Sequence, residues 1–125
     1  TFLFTGDTTT SQEEFVMLNY SLKEYKHLLG ANITLENLDV LKVAHHGGEG
    51  STSTDFLTLL NPKYAVISVS GGNFYGHPSD TILERLELYN KDIGIYRTDY
   101  DGTISVLVNK QGQIEIITDK SLNEN

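Results

Sequence analysis

Asp7, His45, His46 and His77 are the residues of this chain whose types and placement could do chemistry together. Each falls where an apolar run gives way to a loop. Asp7 follows Phe2-Leu3-Phe4-Thr5-Gly6, the histidine pair stands between Leu38–Ala44 and Gly47-Gly48, and His77 lies between Gly76 and Pro78. An aspartate with two or three imidazoles is a hard-to-borderline donor set suited to Zn²⁺, Mn²⁺ or Fe. The glycines behind the histidine pair permit a tight backbone path, and the strand in front fixes where the pair stands. Taken singly, these residues have plainer roles. An aspartate after glycine is most often a turn residue or a helix cap. Adjacent histidines in a glycine-flanked loop are usually surface residues, and His77 before Pro78 is as readily a loop residue as a substrate contact. His27, near the end of the first helix, suits the negative end of the helix dipole and is assigned no role.

The elements that must position these groups can be read from periodicity and punctuation. Thr1 to Thr5 reads as a short strand. Ser11 with Glu14 reads as a capping box, and Phe15, Leu18, Leu22, Tyr25 and Leu29 form a stripe expected to pack in the core, with Gly30 ending the helix. Leu38 to Ala44 is the next strand. Thr52 or Ser53 caps a brief helix through Leu60, ended by Asn61-Pro62. Tyr64 to Val69 is a continuous apolar run, as expected of a strand buried on both faces. Ser79 caps a third helix carrying Ile82, Leu83, Leu86 and Tyr89. Gly94–Thr98, Thr103–Val108 and Gln113–Thr118 read as strands, with turns at Asp101-Gly102 and Gln111-Gly112. The order is β-α-β-α-β-α-β-β-β, a layered α/β class. Residues 1–120 read as one unit and 121–125 as a flexible tail. In such layering the loops past the strand ends gather at one sheet edge, where sites form. Arg97 and Asp99 could form a structural pair or lie near a substrate pocket, and the structural reading is favoured.

Composition limits the partners. The chain has 125 residues, 38 % of them hydrophobic, which is globular composition. Seventeen acidic residues against nine basic ones give a net charge of −8, and the basic residues are scattered between Lys23 and Lys120. That argues against a module coating nucleic acid, which needs clustered cations. It leaves open an enzyme that meets phosphate through bound metal. There is no cysteine, which excludes disulfides and thiolate chemistry. No apolar run approaches the ~20 residues of a membrane helix. The opening Thr1, directly before a strand, reads as a cut through a larger protein.

Five segments carry a resemblance in order: Thr5-Gly6-Asp7, Leu41 to Gly47, Tyr64 to Val69, Tyr75-Gly76-His77-Pro78, and Tyr96 through Ile104. Together they resemble the second half of the metallo-β-lactamase domain of ComEC-type DNA-uptake competence proteins and their secreted relatives, over about Thr1 to Val108. The resemblance implies one half of an αββα sandwich, acting in metal-dependent hydrolysis of a phosphoester or nucleic acid at the outer face of the cell. It implies two divalent metal ions, zinc or manganese, in the intact parent. Asp7 would bridge them, with one of the histidine pair as a further ligand. His46 is favoured as that ligand and His45 as a neighbouring or substrate-facing group, the choice being left open. His77 would act at the rim as a catalytic or substrate-binding residue, with Tyr75 beside it in substrate binding. The family's upstream His-x-His-x-Asp-His motif has no counterpart here. The chain alone is therefore expected to bind metal at most partially and to be inactive, its partner being the absent N-terminal half. An exposed half-sandwich face would favour homodimers, or edge pairing through Phe2–Thr5 and Tyr64–Val69. The rival readings are a degenerate binding or scaffold half-domain, and a hydrolase of another ester class on the same fold.

Overall fold

The computed structural model describes residues 1–22 and 34–123. Its short apolar runs pair into one parallel sheet. Strands β1 (Phe2–Phe4), β2 (Val40–Lys42), β3 (Tyr64–Ile67) and β4 (Gly94–Arg97) lie in that spatial order, every neighbour parallel. Parallel neighbours need crossovers, and these carry helices α1 (Thr10–Ser21), α2 (Thr54–Leu60) and α3 (Asp80–Tyr89). Right-handed crossovers that add strands in one direction place every helix on the same face.

Side chains alternate along a strand, so register decides which rows meet the helices. Leu3, Leu41, Ala65 and Ile95 form one row. Leu41, Ala65 and Ile67 are buried in a single core with Leu57 and Leu60 of α2 and Ile82 and Leu86 of α3. The caps of α2 and α3 are those the sequence indicates. Ser53 Oγ accepts from Phe56 N–H and Ser79 Oγ from Ile82 N–H, each at 3.2 Å.

The first helix departs from expectation. Thr9 and Gln12, not Ser11 and Glu14, form its N-terminal box, with Thr9 N–H donating to Gln12 Oε1 at 2.8 Å. Phe15, Leu18 and Leu22 are 62 %, 58 % and 60 % exposed, so the described part of that stripe is not core. The inward side carries Glu13, Val16, Met17 and Tyr20 instead. The helix is turned so that the fully buried Glu13 carboxylate accepts N–H groups from Thr52 and, at 2.9 Å, Ser53. Two hydrogen bonds from backbone N–H groups offset the desolvation of that carboxylate. Tyr25, His27, Leu29 and Gly30 lie outside the described residues.

The opposite sheet face is only partly covered. Strands β5 (Ile104–Val108) and β6 (Ile114–Thr118) do not extend the sheet but form a separate antiparallel hairpin, after a short helix α4 (Thr98–Asp101). Ile104 and Val106 face Phe2, Phe4, Val40, Lys42 and Val66 across a cavity of about 220 Å³. Phe4 remains 75 % exposed. Strand β3 is interior, so Tyr64–Val69 offers no edge for pairing with another chain; β1 and β4 are the sheet's edges. It is also not buried equally on both faces. Ala65 and Ile67 are buried under the helices, whereas Tyr64 and Val66 are half-buried on the other side. Where the sequence suggests a tail from Ser121, a short helix α5 (Asp119–Asn123) is formed. Among the described residues no helix is long and apolar enough to cross a membrane.

Candidate metal-edge site

Because all four strands run the same way, their C-terminal ends lie side by side. Thr5-Gly6-Asp7 follows β1, the histidine pair follows β2, the glycine-rich loop to His77 follows β3, and Thr98–Asp101 follows β4. The structure thus brings Asp7, His45, His46, Tyr75 and His77 to one edge. A direct link joins the first two loops, as His45 N–H donates to Gly6 C=O at 2.9 Å.

The backbone at the pair is unusual. His45 (φ 49°) and His46 (φ 56°) are both left-handed, and Gly47 follows at φ 83°. Left-handed non-glycine residues are uncommon and cost free energy unless their surroundings hold them. Here several contacts hold them. A side chain at Gly47 would place its Cβ 2.6 Å from Pro78 Cβ, so only glycine fits. Ser79 N–H donates to Gly47 C=O and Gly48 N–H to His45 C=O, both at 2.9 Å. The buried Ser51 hydroxyl donates to Gly48 C=O at 2.9 Å. Arg85 Nη1 reaches the carbonyls of Ser51 and Thr52 at 3.0 and 2.9 Å. With Glu13 receiving the Thr52 and Ser53 N–H groups, both polarities of that backbone are met by charged side chains from α1 and α3.

The imidazoles differ in their partners. His46 Nδ1 lies 2.6 Å from Ser68 C=O. A carbonyl only accepts, so that nitrogen carries the proton, leaving Nε2 with a free lone pair in the neutral ring, the arrangement of a metal-ligating histidine. His45 meets His77 edge-on, ring centroids 5.2 Å apart, and Tyr75 stacks on His77 at 5.8 Å. His45 Nδ1 and His77 Nε2 both close over Gly48, where a methyl group would stand 3.1 and 3.2 Å from them.

Asn73 gave no signal in the sequence beyond its place in a glycine-rich loop, yet it organises that loop. Its amide donates to Ser70 C=O at 2.9 Å and His77 C=O at 2.6 Å, while its Oδ1 accepts from Tyr75 and His77 N–H at 3.1 and 3.0 Å. Arg97 and Asp99 form the structural pair expected, bidentate at 3.0 and 2.7 Å, with the guanidinium 3.9 Å from the Tyr100 ring centroid. That carboxylate holds the Arg97 proton more tightly than usual.

The donor set fits a metal in part. The His46 tautomer, and the link between its loop and that of Asp7, suit ligation. Among the described residues, however, no three carboxylate or imidazole groups converge closely enough to hold an ion by themselves. Asp7, His45 and His46 are all exposed at an open edge.

Sixty-six residues are 47 % identical to ComE operon protein 3 of Bacillus subtilis (strain 168), covering 53 % of this chain and 8 % of that protein. Competence protein ComA of Neisseria gonorrhoeae is 32 % identical over 110 residues, 88 % of this chain and 14 % of ComA. This chain is related to ComEC-type competence proteins. Recombination protein 2 of Haemophilus influenzae is 38 % identical over 60 residues, 48 % of the chain and 8 % of that relative. The chain thus spans 8–14 % of the length of these competence-type relatives. No family model matches it, and no solved structure does.

Proposed function

We propose that this chain carries one part of the site of a metal-dependent phosphoester hydrolase, nuclease-like and engaged in DNA uptake. The observation that carries the reading is the His45 N–H to Gly6 C=O bond, which joins the Asp7 loop to the histidine pair. Similarity to a protein named for competence supports the biological setting. Asp7 and His46 Nε2 are the proposed ligands, and a divalent ion bound there would stabilise charge developing on a phosphoryl oxygen. His77, steadied by Asn73 and flanked by His45 and Tyr75, is the proposed donor of a hydrogen bond or proton to the phosphoester. In this reading the remaining ligands come from elsewhere in a longer protein, the N-terminal half of an αββα sandwich, whose packing also covers Phe2 and Phe4. The chain by itself then lacks hydrolytic activity.

The test is calorimetric titration with Zn²⁺ and Mn²⁺ of the chain and of an Asp7→Ala/His46→Ala version. Weak binding that the double substitution removes is expected. Equal binding by both would overturn the assignment of ligands. A second reading, a non-catalytic binding or scaffold unit, draws on the absence of a three-donor cluster among the described residues. It predicts no binding in either protein.

A further inference from the structure

Strand β4 stops pairing with β3 at Arg97, whose partner is Ile67, and the chain then turns into α4. Beyond that point a side chain takes over from the main chain. Thr98 Oγ1 accepts from Val69 N–H and donates to Val69 C=O, both at 2.8 Å. The turn presenting Thr98 is itself tied, with Arg97 N–H donating to Asp101 Oδ2 at 2.8 Å and Gly102 N–H to Thr98 C=O at 3.2 Å. Val69 N–H and Ser68 C=O are the two ends of one planar peptide unit. Thr98 grips the first end, and His46 Nδ1 meets the second at 2.6 Å.

We propose that Thr98 is a positioning residue for His46. By holding the Ser68–Val69 peptide it keeps the Ser68 carbonyl aimed at Nδ1, the proton on that nitrogen and the lone pair on Nε2. This rests on the reading of His46 as a metal donor, although the place of the proton is measured without metal. A rigid peptide plane moves both of its ends together, so losing the anchor on the N–H frees the carbonyl. Donation by that N–H also polarises the carbonyl and strengthens its bond to the imidazole. His46 is exposed, so this bond rather than core packing orients its ring. Without it, either nitrogen of the neutral ring can carry the proton. A Thr98 that served only to satisfy the polar groups of Val69 would affect stability and leave His46 unchanged.

The test is nitrogen-correlated NMR of the histidine rings in the full chain, at one fixed pH where the rings are neutral. In the unsubstituted chain His46 should show a protonated Nδ1 and a bare Nε2, and the Val69 amide should be protected from exchange. These two readings stand whatever the stability of any variant, and failure of either overturns the proposal. Thr98→Val keeps the shape and removes the hydroxyl, and should move His46 towards the Nε2-protonated form. Thr98→Ser keeps the hydroxyl and should return the original signature. In a Zn²⁺ titration the midpoint read at His46 Nε2 should rise about tenfold or more in Thr98→Val, as for other groups that orient a ligand. An original His46 signature in folded Thr98→Val would overturn the proposal. The two readings fail differently. If Zn²⁺ leaves His46 Nε2 unmoved while Thr98→Val still displaces the proton, the ligand assignment falls and the positioning stands. If Zn²⁺ moves Nε2 equally in both proteins and the proton stays put, the positioning falls and the ligand assignment stands.

Discussion

The two faces of the parallel sheet are built to different degrees. On one, Leu41, Ala65 and Ile67 disappear beneath α2 and α3, and Leu57, Leu60, Ile82 and Leu86 have no exposed surface. On the other, a two-stranded hairpin leans over part of the sheet and leaves Phe4 three-quarters exposed. The finished face sets the strand ends and the backbone of the histidine loop. The other face leaves Phe2 and Phe4 partly bare. The helix-covered face therefore fixes where the loops bearing Asp7, His45, His46 and His77 begin, and the opposite face contributes little to that placement.

The largest effect should come from the finished face. Leu57→Ala removes a fully buried side chain among α2, α3 and the sheet, and should cost about 2–5 kcal/mol in denaturant unfolding. A loss well below that would mean the helical layer packs loosely and the contrast between faces is weaker than drawn. Glu13→Ala comes next. It strands the Thr52 and Ser53 N–H groups in a buried setting, for about 1–3 kcal/mol, and should also broaden the His45 and His46 resonances, because the backbone that follows them loses an anchor. Unchanged histidine signals would detach Glu13 from the site.

At the hairpin the expected effect is one of pH. Thr103 N–H donates to Asp119 Oδ2 at 2.7 Å and closes the base of β5 and β6. That bond holds the Asp119 carboxyl below its ordinary value. A carboxyl depressed in the folded state gives stability that is present above the unfolded pKa, about 3.9. The contribution is lost as pH falls through the lower folded value. Hydrogen-exchange protection of hairpin amides should therefore fall below about pH 4, and Asp119→Asn should flatten that dependence. The smallest effect belongs to the bare face. Phe4→Ser should change stability by no more than about 0.5 kcal/mol, and a cost several times larger would show the face to be covered in solution.

Much of the frame was legible because its signals are local. Ser53 and Ser79 announce two helices by capping chemistry, and short apolar runs mark β1, β2 and β3. The alternation of strands with helices led to an α/β sheet whose strand ends carry Asp7 and the histidines. What was not legible depended on long-range partners. Helix α1 has apolar residues on two sides, so Phe15, Leu18 and Leu22 looked like a core stripe. The deciding contact is between Glu13 and the start of α2, about 40 residues away. Separation of the hairpin from the main sheet follows the turn at Thr98–Asp101, where Thr98 Oγ1 bonds both N–H and C=O of Val69 at 2.8 Å. Left-handed conformations at His45 and His46 have no sequence signature beyond the glycines after them. Asn73 reads only as a loop residue in the sequence, because its four hydrogen bonds, to Ser70, Tyr75 and His77, depend on the folded loop.

In the proposed half-site His46 would present a lone pair at Nε2 to a metal that Asp7 shares. Nitrogen-detected NMR of the histidine rings during a Zn²⁺ titration tests it most directly. The account predicts that His46 Nε2 shifts on binding while Nδ1 stays protonated against Ser68 C=O, and that Asp7→Ala weakens the response. A titration that perturbs other histidines and leaves His46 Nε2 unmoved would contradict it.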